Sequence, residues 1–226
     1  MAFFLAFLVL TTIILPVVAL SQAGQLALSL AFALMLIFGA FATVHHRTAI
    51  CLVAGLTIAT FTSDLMVALG RAHGFAAVNA GLRVASLSIL FCMTLMRTLR
   101  PGRITGYRVL GGIAGYLLIG LIWTFAYQML LQRAPSAIYF EPGAAESLPG
   151  QPSHLIYFSF TTLTTVGFGD IHPVSPAARS LTMAEALVGQ LYIAILIASL
   201  VGMALQARSM EDGVVDNRVP AKAAVN

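Results

Sequence analysis

Apolar residues in this chain neither alternate with polar ones nor keep to one helical stripe; they form long, nearly unbroken runs. The runs fall at about 2–20, 26–44, 48–69, 75–96, 109–131 and 181–207, separated by short connectors that hold most of the polar and charged residues. A helix rises 1.5 Å per residue, so about 20 apolar residues cross a hydrocarbon core of ~30 Å. The pattern therefore predicts six spans. Pro16 predicts a kink near the end of the first. The small residues near position 20 would suit signal cleavage, but the run lacks a basic leader and exceeds a usual signal core, which predicts a retained helix. After the fifth run, Pro135, Pro142, Gly143, Pro149, Gly150 and Pro152 predict an irregular loop. A short amphipathic helix over about 154–164, with Ser153 as its N-cap, then follows and is too short to cross.

Composition sharpens this reading. Of 226 residues, 59% are hydrophobic and 9% charged, with a mean hydropathy of +0.94, which predicts an all-α integral membrane protein with no sizeable soluble domain. A formal charge of +4 would suit nucleic acid if it were gathered on a polar face. The arginines instead stand at the ends of apolar runs, so topology accounts for them and no nucleic-acid partner is expected. With a cytoplasmic amino terminus, Arg47, Arg97, Arg100, Arg103, Arg108, Arg208, Arg218 and Lys222 fall inside, against Arg71, Arg133 and Arg179 outside. Both termini are then cytoplasmic and the 132–180 segment faces out. Cys51 and Cys92 lie within apolar runs and are expected to be buried packing residues. No nucleophile–base pair, metal cluster or phosphate loop is legible, so neither an enzyme nor a cofactor is expected.

The segment from Thr164 to Asp170 reads Thr-Thr-Val-Gly-Phe-Gly-Asp. Backbone carbonyls can replace the water shell of a potassium ion only if they all turn toward one axis, whereas a β-strand points them alternately to opposite sides. Gly167 and Gly169 can take left-handed angles that side chains disfavour, which flips alternate carbonyls inward. Thr165 adds a hydroxyl at the inner end, and Val166 and Phe168 can point outward against a supporting wall. The chemistry implied is dehydration and passage of a cation.

With these residues in place, the stretch from Tyr107 to Arg208 resembles the pore domain of bacterial-type potassium channels: outer helix, turret, pore helix, filter and inner helix. The contiguous match is Thr164 to Asp170, followed by Pro173. The resemblance implies that the carbonyls of Thr165, Val166, Gly167 and Phe168, with the Thr165 hydroxyl, are ion ligands. Thr164, Gly169 and Asp170 would support them, Asp170 through hydrogen bonds to the pore-helix surroundings. It further implies a homotetramer, since one chain supplies a quarter of a ring, and a place in the bacterial inner membrane. Two departures stand out. Phe168 replaces the commoner Tyr, and Tyr157, Phe158 and Phe160 replace paired Trp, which predicts a cuff held by packing more than by hydrogen bonds and a filter prone to collapse.

In the sixth span, Gly189 occupies a frequent hinge position, with close packing an equal alternative, and Gly202 is a second candidate. Ile193, Ile197 and Val201 follow at four-residue intervals and are expected to line an apolar inner pore. Glu185 is expected to brace the filter from behind, or else to sit at a partly solvated surface.

The division expected is 1–100 as a four-helix bundle resembling a degenerate voltage sensor, 101–208 as the pore domain and 209–226 as a disordered cytoplasmic tail. The fourth span carries only Arg83 within its apolar body, which argues against strong voltage gating. Asp64 and Arg83 are expected to form a static ion pair. Arg97, Arg100, Arg103 and Arg108 mark topology and can also meet anionic lipid. His45, His46 and His172 can titrate near neutral pH; His172 alone lies near the outer mouth. The function expected is passive conduction of potassium. The alternatives are a non-conducting receptor or scaffold on a pore fold, and a transporter, which would need four pore repeats where one is found.

Overall fold

The computed structural model describes residues 2–14, 30–39, 54–63, 76–99, 106–141 and 152–216. They are mostly helical: α1 (Ala2–Val9, continuing as a π-helical turn, Leu10–Ile14), α2 (Leu30–Gly39), α3 (54–63), α4 (Ala76–Thr98), α5 (Gly106–Arg133), α6 (Pro152–Leu163) and α7 (Pro176–Asp216). Among the described residues three helices are long and apolar enough to cross a membrane, within α4, α5 and α7, and Phe3–Thr12 and Leu30–Gly39 are shorter apolar helices. The protein is thus of the all-α membrane class. Expectations for Pro16, His45, His46, Arg47, Cys51, Asp64, Arg71, Arg100, Arg103, the turret residues Pro142, Gly143, Pro149 and Gly150, and the end of the chain from Asn217 fall outside the described residues.

Two apolar cores hold the helices together. The first joins Phe4 and Leu8 of α1, Phe32 and Met35 of α2 and Leu87 and Leu90 of α4 to Leu118 and Phe125 of α5. Arg83 is built into this core, its guanidinium 5.2 Å from the Phe32 ring centroid and 5.0 Å from that of Phe125. The second gathers Tyr127, Ile138, Leu155, Phe158, Ile171 and Ala178 around the junction of α5, α6 and α7.

Several boundaries differ from those read in the sequence. α7 begins at Pro176, not at 181: the Ser175 hydroxyl accepts the Ala178 N–H at 3.1 Å. A Ser cap followed by proline, whose ring presets φ, is a strong start signal that a count of apolar residues passes over. At its other end α7 continues to Asp216, so 209–216 is helical rather than the disordered tail expected. One glycine, Gly213, is the weakest helix former there, and the first proline comes at 220. α6 opens at Pro152, which places Ser153 inside the first turn instead of at the cap. Cys92 is exposed, contrary to the buried packing role expected; an apolar run destined for lipid does not need to bury every face.

One element had no counterpart in the sequence reading. Ile138–Phe140 (β1) pairs antiparallel with Ile171–Pro173 (β2), in the register Ile138 with Pro173, Tyr139 with His172 and Phe140 with Ile171. Asp170 accepts the Glu141 N–H at 3.1 Å, and the Ala137 carbonyl accepts the N–H groups of Val174 and Ser175 at 2.9 and 3.1 Å. This small clasp ties the end of α5 to the chain leaving the glycine loop.

Candidate functional site

The last four carbonyls of a helix have no partners within it and must find them elsewhere. In α6 all four are satisfied. Phe160 O accepts the Thr164 N–H at 3.1 Å, and Thr161 O accepts those of Val166 and Gly167 at 2.9 and 3.2 Å. Thr162 O accepts the Thr165 N–H at 2.8 Å, and Leu163 O accepts the Tyr116 hydroxyl of α5 at 3.1 Å. The helix end is therefore a template on which the amides from Thr164 to Gly167 are laid.

The loop that results alternates in backbone hand. Thr165, Gly167 and Gly169 have φ of 59°, 55° and 89°. The glycines reach these angles freely, but Thr165 is β-branched, and a left-handed conformation costs it about 1–3 kcal/mol unless its surroundings fix it. The sequence identified both glycines; Thr165 completes the alternation. Residues 164–169 are exposed on the single chain.

Behind the loop, Glu185 of α7 is fully buried. It stands between the Tyr127 hydroxyl of α5 and the Ser159 hydroxyl of α6, each 2.5 Å from one carboxyl oxygen. Of the two positions considered, the partly solvated surface is not where the side chain lies. The Ser159 hydroxyl is also 2.7 Å from the Gly120 carbonyl. A hydroxyl carries one proton, so it cannot donate to two acceptors at once. The Gly120 carbonyl also accepts the Thr124 hydroxyl at 2.9 Å, so Ser159 can donate to Glu185. If Ser159 donates to Gly120 instead, Glu185 has to be a neutral acid that donates to Ser159, and in either case Tyr127 donates to the other carboxyl oxygen. Tyr127 and Ser159 were not singled out in the sequence; a polar residue opposite a lone buried acid is a signal only once helix faces are known.

On the outer side, the Tyr157 hydroxyl lies beside the Asp170 side chain, close enough to interact with it. Partial burial, then that contact and the Asp170 charge, raise the Tyr157 hydroxyl above its ordinary value, so it remains a donor. The Tyr157 ring lies parallel to Phe168, with centroids 6.2 Å apart. The cuff therefore carries one polar contact beside its ring packing. Phe168 keeps this one packed face, and Val166 remains exposed on the single chain. His172 packs on Tyr139 at 4.8 Å, and its Nδ1 is 3.1 Å from the Gly169 carbonyl oxygen.

Residues 115–206 match the family Ion_trans_2, described as Ion channel. That stretch, under half of the chain, is similar to ion-channel domains, and with the apolar helices around it the chain is an integral membrane protein. The similarity points to ion passage rather than to an enzymatic reaction. No curated protein matches the chain.

The rest of the pore domain is fitted together at glycines. Side chains of the facing helices occupy the space a Cβ would need on α5: Leu196 at Gly112, Tyr192 at Gly115 and Phe160 at Gly120, with Leu196 and Phe160 atoms at 2.6 Å from the position of that Cβ. The Tyr192 hydroxyl donates to the Gly112 carbonyl at 2.9 Å. Gly189 of α7 is likewise closed in by the Leu163 carbonyl, whereas Gly202 has open space. Ile193, Ile197 and Val201 are exposed on the single chain, four residues apart and so on one side of the helix. Near the other end, Arg108 reaches the Met203 sulfur at 3.0 Å. Arg97 is exposed in the last turn of α4.

Proposed function

We propose that the chain is a potassium-selective channel that conducts passively through a homotetrameric pore. The observation that carries this reading is the alternation of left-handed residues at Thr165, Gly167 and Gly169 in a loop whose amides from Thr164 to Gly167 are anchored on α6. Alternating hand is what a chain needs to turn successive carbonyls, here those of Thr165, Val166, Gly167 and Phe168, toward one axis for ion coordination in place of water. A single chain offers a quarter of such a ring. α7 supports the assembly, because Met183, Leu187, Leu191 and Ile195 stay exposed along it and need a partner or lipid. In this reading Thr164, Gly169, Asp170 and Glu185 support the filter and Ile193, Ile197 and Val201 line the inner pore.

Residues 1–100 form a helical bundle that sets the position of the pore without strong voltage sensing, and 101–208 form the pore domain. Both termini are cytoplasmic in an inner (plasma) membrane, which brings Arg97, Arg100, Arg103 and Arg108 to anionic lipid at the inner leaflet. Flux from potassium-loaded liposomes tests the proposal: the parent protein passes K+ well ahead of Na+, and Gly167→Ala abolishes the flux. Equal Na+ and K+ flux would remove the selectivity claim, and no flux in the parent protein would leave the non-conducting scaffold.

A further inference from the structure

Gln190 stands in the middle of an apolar span, between Leu191 and the closely packed Gly189. A carboxamide at that depth is costly in lipid and needs polar surroundings. Its amide Nε2 donates to the Thr165 hydroxyl at 3.2 Å. The reach depends on Gly189: with no Cβ there, the backbone of α7 comes against the Leu163 carbonyl at the end of α6. The next residue is then carried to the inner end of the glycine loop.

The partner is a residue under constraint. Thr165 holds a left-handed φ of 59°, and its N–H is committed to Thr162 O. Its hydroxyl has one proton and two lone pairs. When one lone pair accepts from Gln190, the rotor is fixed, with its proton turned aside and the second lone pair free to face a cation. Without that bond the O–H can swing toward the ion and repel it.

We propose that Gln190 is a positioning residue that orients the Thr165 hydroxyl and so sets the ion affinity of the innermost ligand ring. This rests on the channel reading above. It concerns a residue with no place in the filter motif itself, acting from the inner helix.

The test is a double-mutant cycle on the full chain in liposomes: parent, Gln190→Met, Thr165→Ala and the double variant. Met has similar length and volume but makes no comparable bond. In Gln190→Met the K+ concentration for half-maximal flux rises roughly three- to tenfold, the worth of one such bond, while maximal flux is kept. In the Thr165→Ala background the same substitution has no further effect. Because Thr165→Ala can itself stop flux, the cycle is also read from the K+ concentration that raises the melting midpoint of detergent-solubilised protein, where ion binding alone counts. An unchanged half-maximal concentration in Gln190→Met, or an equal shift with and without the Thr165 hydroxyl, overturns the role of Gln190 while a conducting parent leaves the channel reading intact. A parent protein that passes no cation overturns both.

Discussion

The carbonyl oxygen of Leu163 occupies the place where a side chain at position 189 would begin. A Cβ on Gly189 would fall well inside van der Waals contact of that oxygen, and α7 runs unbroken through the position from Pro176 to Asp216. Of the two roles open to Gly189, close packing is the one its surroundings require. Backbone at the end of α6 cannot step aside as a flexible side chain would, so Gly189→Ala costs about 1–3 kcal/mol of overpacking. The expected outcome is a clear fall in melting temperature together with loss of flux. Gly202→Ala, with open space around it, leaves the melting temperature unchanged. A Gly189→Ala protein that melts normally and loses only gating would restore the hinge.

The proton count around Glu185 makes a second prediction. If the acid is neutral, Gln is nearly its isostere: the amide N–H donates to Ser159 and the amide oxygen accepts from Tyr127. Glu185→Gln should therefore stay within about 1 kcal/mol of the parent. Glu185→Ala instead opens a cavity, takes the short acceptor from two buried hydroxyls and leaves Ser159 only its bond to Gly120 and Tyr127 only a 3.4 Å contact to Thr182, at a cost of about 2–4 kcal/mol. Ser159→Ala should cost about 1–3 kcal/mol, since it strips a partner from both Glu185 and the Gly120 carbonyl. Thermal melting in detergent measures all three. A Glu185→Gln variant as unstable as Glu185→Ala would mean that the carboxylate is charged.

Tyr157 and Asp170 join the pore helix to the filter exit through a polar contact between partly exposed groups, worth about 0.5–1.5 kcal/mol. Tyr157→Phe keeps the ring on Phe168 and removes only this contact. Currents should then decay roughly two- to tenfold faster in low external potassium, where the filter has fewer ions to hold it open. Recordings that decay at the parental rate would show that ring packing alone supports the outer filter.

Much of the pore domain was legible because its chemistry is local. The turn of Thr164 to Asp170 needs glycines at fixed places, and the flanking apolar runs give it an address in the membrane. The contacts that brace it are of another kind. Tyr127, Ser159 and Glu185 come from three helices, and nothing in the spacing of α5 says that Tyr127 faces α6 instead of lipid. Gln190 could have been noticed as a polar residue in an apolar run, but its target becomes visible only when Gly189 brings the helices together. Thr165 was expected to be a ligand through its carbonyl and hydroxyl; its left-handed φ goes with bonds to α6 that no propensity encodes. The β1–β2 pairing was missed because strands of three residues leave almost no alternation to read.

Arg83 supplies the last prediction. Its guanidinium lies between Phe32 of α2 and Phe125 of α5, and each ring contributes about 0.5–2 kcal/mol of cation–π attraction. A charge clamped between helices, one of them the outer helix of the pore domain, is built to stay still. Moving a full charge across the membrane is worth ~2.3 kcal/mol per 100 mV, so a stationary Arg83 adds no slope to a conductance–voltage curve. Arg83→Gln should leave that curve unshifted while lowering the melting temperature by several degrees, at about 2–4 °C per kcal/mol lost in a chain of this size. Arg83→Lys should fall between the two, because an ammonium keeps the charge but not the planar stacking on both rings. The opposite result, a steep voltage dependence abolished by Arg83→Gln with stability intact, would make this residue a moving sensor rather than a fixed rivet between the bundle and the pore.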